Sequence, residues 1–142
     1  MTTDSPFKAR LRQVWHEAWD EGNVDALDEL LTDGYTRLTQ GSDSALTAAE
    51  FKQEILATRQ AFPDLVTTID DIVQDGDRVA IFWSSSGTHR GELLGVPATR
   101  RRVVTYGSNL CTVADGKLTH ERVTWDPRHL LSALGISTVR HD

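Results

Sequence analysis

The stretch VVTYGSNLCTVADGKLTHERVTWDP, residues 103–127, decides the fold. Val103 to Val113 and Leu118 to Trp125 are rich in β-branched and aromatic residues. Asp115-Gly116 between them is a hairpin turn signal. Asp126-Pro127 then stops the second strand and opens a short helix carrying Leu130, Leu131 and Leu134. Upstream, Leu65 to Gln74 and Arg78 to His89 flank Asp75-Gly76-Asp77 in the same manner. The second half of the chain therefore reads as an antiparallel sheet of hairpins.

The first half reads as helices. Ser5 is a good N-cap and Pro6 suits the first helical position. Phe7, Leu11, Val14, Trp15, Ala18 and Trp19 then recur at spacings of three and four, and Gly22 is a natural stop. Asn23 caps an expected second helix with Leu27, Leu30 and Leu31, ended by Gly34. Thr47 and Glu50 form a capping-box pair before Phe51, Ile55, Thr58 and Phe62, and Pro63 closes that third helix. Helices first and a sheet afterwards is the α+β layout, with helices packed on one sheet face.

Composition narrows the partners. The 142 residues are 39% hydrophobic and 25% charged, which suits one globular domain over 1–142, with a core of about 6–136 and short flexible termini. The net charge of −6 is opposite to that of nucleic-acid binders, and Arg100-Arg101-Arg102 is too short a run to reverse it. The single cysteine, Cys111, excludes an intrachain disulfide. No run approaches 18 apolar residues, so no membrane helix is expected. Met1 to Pro6 shows no signal pattern, and a cytoplasmic location is the expectation. No metal set, phosphate loop, nucleophile elbow or dinucleotide fingerprint appears, and no cofactor is expected.

Side chains alternate across a strand, so parity sorts them by face. A regular turn at Asp115-Gly116 places Val113 opposite Leu118, Cys111 opposite His120 and Asn109 opposite Arg122. One face then offers Trp83, His89, Asn109, His120, Arg122 and Asp126 beside Ile81, Cys111, Val113 and Leu118. Such a mixture fits a partly open apolar pocket holding a few polar groups, the usual form of a small-molecule site. Trp15, Trp19 and Phe51 are the expected facing wall. The opposite face, with Phe82, Ser84, Tyr106, Ser108, Leu110, Val123 and Trp125, is expected to pack against a second copy, making a homodimer.

The runs Phe62-Pro63-Asp64-Leu65, Gly76-Asp77-Arg78-Val79-Ala80, Trp83, Gly87-Thr88-His89-Arg90-Gly91-Glu92 and Leu94-Gly95-Val96-Pro97 together resemble the SnoaL-like polyketide cyclase family. Asp115-Gly116-Lys117-Leu118, Trp125-Asp126 and Leu130-Leu131…Leu134-Gly135 continue the likeness, which covers Phe7 to Gly135. The resemblance implies the nuclear-transport-factor-2-like (cystatin-like) fold, a cone of curved antiparallel sheet with N-terminal helices closing a pocket. It implies cofactor-independent ring closure of polyketide-like substrates, with an aspartate near the start of the C-terminal helix as acid/base. Asp126 falls at that position.

Asp126 is thus the expected base for a proton next to a carbonyl, and an aspartate before proline is equally an ordinary helix cap. Arg122, His120 or Asn109 would hydrogen-bond the enolate oxygen. Trp15, Trp19, Phe51, Trp83 and His89 would bind a small hydrophobic substrate. Two further readings use the same pocket. One is a hydrolase or hydratase, for example of an epoxide, with water held among Asp126, Arg122 and Asn109. The other is a non-catalytic, dimeric ligand-binding module.

Overall fold

The computed structural model describes residues 4–136, so the expected flexible termini lie largely outside the described residues. Helix α1 spans Pro6–Trp15, with Ser5 accepting from the Lys8 amide, and widens into a π-helical turn over His16–Asp20. A 3-10 turn, Val24–Glu29, follows. Strands β1 (Leu31–Thr39) and β2 (Leu46–Thr47) precede helix α2, Ala48–Ala61. Strands β3 (Val66–Asp75), β4 (Arg78–Thr88), β5 (Arg102–Ala114) and β6 (Lys117–Trp125) lead to α3, Pro127–Ala133.

The six strands form one sheet in the order β2-β1-β6-β5-β4-β3. The expected α+β class holds, and both hairpins fall where the Asp-Gly turns put them. The capping box at Thr47 and Glu50 is complete, each residue bonding the other's backbone.

The region after Asn23 differs from expectation. Its helix is only the short 3-10 turn, and Leu31 to Thr39, including Gly34, is strand. β1 runs parallel to β6, so the sheet is mixed rather than wholly antiparallel. Leu31, Tyr35 and Arg37 are buried while Asp33 and Gly34 are exposed. Burying that side against the last strand outweighs a weak helical spacing of leucines.

The main core lies between the sheet and the helices. Leu11, Val14 and Trp15 of α1 and Phe51 and Ile55 of α2 meet Ile72, Val79, Ile81, Cys111 and Leu118 of the sheet. A smaller cluster, with Ala61, Phe62, Leu65, Val103, Leu130 and Leu134, closes the other end against α3. Between the two lies a space that neither fills.

Candidate functional site

That space is a cavity of about 490 Å³, open at one side. All four tryptophans of the chain line it: Trp15 and Trp19 from the helical side, Trp83 and Trp125 from the sheet. Phe62, Leu65, Val103 and Leu130 continue the apolar wall, and Leu93 and Leu94 of the β4–β5 connection reach the rim. Leu93 and Val96 pair across Leu94 and Gly95, both at positive φ, which is a tight two-residue turn.

A buried polar network lies beside this wall. The Tyr35 hydroxyl donates to Glu121 Oε1 at 2.6 Å, and Asn109 Nδ2 donates to Glu121 Oε2 at 2.9 Å. Trp83 Nε1 donates to Asn109 Oδ1 at 2.9 Å, which ties one cavity wall to the network. Cys111 Sγ lies 3.5 Å from Glu121 Oε2. Arg37 Nη1 is 3.4 Å from the same oxygen, and the guanidinium lies 4.1 Å above the Phe51 ring. Arg37 and Glu121 are 5% and 1% exposed. Burial of such a pair is tolerated only with further hydrogen bonds, and Tyr35 and Asn109 supply them to the carboxylate.

Electrostatics raises the pKa of three members of this network, Arg37, Tyr35 and Cys111. Burial alone would lower the Arg37 pKa, but Glu121 and Tyr35 outweigh it and hold the guanidinium above its ordinary value. Burial and then the Glu121 charge push the Tyr35 hydroxyl and the Cys111 thiol well up, so both stay protonated.

Arg37 also lines the cavity, yet Nε and Nη1 have no hydrogen-bond acceptor. The indole nitrogens of Trp15 and Trp19 are buried and unpartnered in the same way. Among the described residues only one other buried side-chain polar atom is unpartnered, His89 Nε2. All four belong to residues that line the cavity, and each is a donor.

The sequence-predicted site divides. Trp15, Trp19 and Trp83 line the cavity as expected. Phe51 is core beneath Arg37. Asn109 faces inward as expected, but is engaged by Trp83 and Glu121. His89 is fully buried next to the cavity, 5.6 Å from the Phe62 ring, with Nδ1 accepting from the Thr99 amide.

His120, Arg122 and Asp126 require correction, because they do not face the cavity. The β5–β6 hairpin slips by one residue: Val113 pairs Leu118, but Thr112 pairs His120, Cys111 pairs Glu121 and Asn109 pairs Val123. Thr119 is the extra residue, and such a bulge inverts the parity of everything after it. Glu121, Val123 and Trp125 therefore turn inward, so Val123 and Trp125 leave the outer face assigned to them. His120 bonds the Thr36 hydroxyl at 2.7 Å, and Arg122 is exposed. Asp126 is exposed too, and its carboxylate caps α3 by accepting from the Arg128 amide at 3.0 Å.

Sequence parity missed Tyr35, Arg37 and Glu121. The alternation of Tyr35 and Arg37 within Tyr-Thr-Arg-Leu-Thr was the available signal. It also missed Glu54 of α2 and Glu92 of the β4–β5 connection, the two carboxylates that line the cavity.

Two of the family-like runs, residues 62–65 and 87–92, also hold the architecture beside the cavity. Asp64 accepts from the Thr88 amide at 2.7 Å and its hydroxyl at 2.8 Å, which holds the Asp64 carboxyl below its usual range. The Arg90 and Gly91 amides donate to the Ala61 carbonyl, and a Cβ at Gly91 would strike the Gln60 carbonyl. Together these contacts dock the β4–β5 connection on the end of α2, beside the cavity.

A mostly apolar cavity, open at one side and with a few polar groups, built between helices and a curved sheet on an α+β scaffold, has the usual form of a small-molecule site. The chain matches the model of the SnoaL-like polyketide cyclase family over residues 9–134 and belongs to that family. It has the nuclear-transport-factor-2-like fold. A candidate polyketide cyclase from Acidithiobacillus ferrooxidans is similar at 27% identity and a TM-score of 0.83, over 97% of this chain and 100% of that one. IdmH, a candidate polyketide cyclase from Streptomyces antibioticus, is similar at 27% identity and a TM-score of 0.79, over 92% and 99%. AclR, a candidate hydroxylase from Streptomyces galilaeus, is similar at 27% identity and a TM-score of 0.78, over 91% and 95%. Among curated proteins no match is found. Among the described residues no helix is long and apolar enough to cross a membrane.

Proposed function

We propose that this protein is a cyclase that closes a ring in a hydrophobic polyketide-like substrate by an intramolecular aldol-type step. The observation that carries the reading is the tryptophan-walled cavity of about 490 Å³ in a chain of the SnoaL-like family. A flexible polyketone folded inside such walls brings its reacting carbons together, and proximity of this kind can supply several kcal/mol of the barrier (roughly 7–11 at best).

The step needs a base that removes a proton from carbon next to one carbonyl. The resulting enolate carbon attacks a second carbonyl of the same molecule, and the alkoxide formed takes the proton back. Asp126, the base expected from the sequence, is exposed and engaged as a helix cap. Glu54 takes that role in this proposal. Glu54 is exposed as well, but unlike Asp126 it lines the cavity, from α2, and its charge adds to the rise of the Arg37 pKa.

Ring closure of a panel of linear aromatic and aliphatic polyketones, followed by chromatography with mass detection, tests this. Glu54→Gln should lower the closure rate by about 10²–10⁴-fold. Asp126→Asn should keep it within about twofold, because asparagine caps a helix nearly as well. The reverse order would return the base to Asp126. Panel members that bind the cavity but close no faster than in buffer would overturn the cyclase reading.

A further inference from the structure

We infer that a row of three hydroxyls on the sheet wall of the cavity, Thr67, Ser85 and Thr105, is a binding site for an oxygenated substrate that presents a hydroxyl or enol together with a ketone. The sheet register places the row. Thr67 of β3 pairs with Ser85 of β4, and Ser85 pairs with Thr105 of β5. Residues directly opposite share a face, and neighbouring strands lie about 4.8 Å apart, so the three form one line across three strands. All three line the cavity, and none of them is buried. Their inward neighbours along the strands, Leu65, Trp83, Gly87 and Val103, line it too and carry no hydroxyl. The row is thus a polar stripe across an apolar wall, and a few polar groups in such a wall fix how a ligand lies.

The hydrogen bonds already made decide what the row still offers. Thr67 Oγ1 donates to Asp20 Oδ1 at 2.8 Å, and the Thr67 amide donates to the same oxygen at 2.7 Å. The hydroxyl's only proton is committed, so Thr67 can meet a ligand only as an acceptor. Ser85 Oγ and Thr105 Oγ1 lie 2.6 Å apart, and one of their two protons makes that bond. The other has no partner among the described residues and can be given to a ligand. One end of the row therefore accepts and the other donates. A hydroxyl or enol suits Thr67, and a ketone oxygen suits the pair of Ser85 and Thr105. The substrate class rests on the cyclase reading, since a polyketone carries the carbonyls and aldol closure leaves a hydroxyl.

Calorimetric binding of naphthalene probes at neutral pH tests this without any turnover. 3-Acetyl-1-naphthol and 6-acetyl-2-naphthol carry both oxygens at different spacings. 2-Acetylnaphthalene carries the ketone alone, 2-naphthol the hydroxyl alone, and 2-ethylnaphthalene neither. Ser85→Ala with Thr105→Val removes both partners of one bond and orphans neither, so the double variant should melt as the parent does. It should weaken every acetyl-bearing probe at least fivefold and leave 2-naphthol and 2-ethylnaphthalene within twofold. Thr67→Val keeps the amide bond to Asp20. It should weaken every hydroxyl-bearing probe at least threefold and spare 2-acetylnaphthalene, and it carries the test if the double variant does not fold. In the parent, tighter binding of 3-acetyl-1-naphthol places the free proton on Ser85, next to Thr67, and tighter binding of 6-acetyl-2-naphthol places it on Thr105. If parent and variants bind every probe alike, the hydroxyls are plain cross-strand contacts, and the row is overturned while the cyclase reading stands. Row-dependent binding by a protein that closes no polyketone ring does the opposite.

Discussion

Gly107 shows how single residues set this cavity. It pairs with Trp83 across β4 and β5, and a Cβ placed on it would fall inside the Trp83 ring. The missing side chain lets the indole lie over the strand and reach Asn109, which in turn holds Glu121. Gly107→Ala must push the indole away. The expected loss is about 1–3 kcal/mol of stability in urea unfolding, the usual cost of overpacking, with a shift in tryptophan emission. Gly34→Ala is the control. Its Cβ would meet nothing within 4 Å and its backbone is not left-handed, so the change should stay within about 0.5 kcal/mol. An unaltered Gly107→Ala protein would mean that Trp83 is free to move and that the Asn109 contact does not hold the wall.

At the scale of elements, β6 separates what is local from what is not. The capping box of α2, the Ser5 cap, the helix start after Asp126 and both Asp-Gly turns were legible because each is settled within a few residues. The inward face of β6 was not. One extra residue, Thr119, changes which of Glu121 and Arg122 is buried, and the choice is made by partners elsewhere: Tyr35 and Arg37 on β1, Asn109 on β5. β1 itself was obscured because its burial depends on pairing with the last strand of the chain. The family-like runs were legible as motifs; those at residues 62–65 and 87–92 dock the β4–β5 connection, while Trp83 and Trp125 line the cavity. Deletions test the register directly. Removing Thr119 leaves Glu121, Val123 and Trp125 facing inward, so that variant should fold, with a loss below about 3 kcal/mol. Removing Arg122 turns Val123 and Trp125 outward and should leave no cooperative unfolding transition. If the Thr119 deletion unfolds the protein and the Arg122 deletion does not, the bulge lies elsewhere.

At the scale of the molecule, the outward sheet face has no helix packed over its aromatic side chains among the described residues. Helices α1 and α2 lie on the inner face, where the main core forms. Outside, Phe82 is 46% exposed and Tyr106 64%, on strands that pair side by side in the middle of the sheet. Parity adds Val104, Ser108 and Leu110 to that side, all partly buried. With Val123 and Trp125 turned inward, this face is less apolar than the sequence suggested, and Arg122 now belongs to its polar margin. Large aromatic side chains on an open sheet invite a flat, self-complementary contact, and a two-fold arrangement satisfies both copies at once. The expected outcome is a homodimer in sedimentation velocity at micromolar concentration. Tyr106→Glu together with Phe82→Asp should shift it to monomer, because two carboxylates per face, four per contact, would be buried in apolar surroundings. The cavity opens on the other side of the sheet, so the monomeric variant should still bind the naphthalene probes within about threefold of the parent. A parent protein that sediments as a monomer at this concentration would leave the outer face as plain solvent-facing sheet. A dissociated variant with an emptied cavity would instead tie the two faces together through β4 and β5.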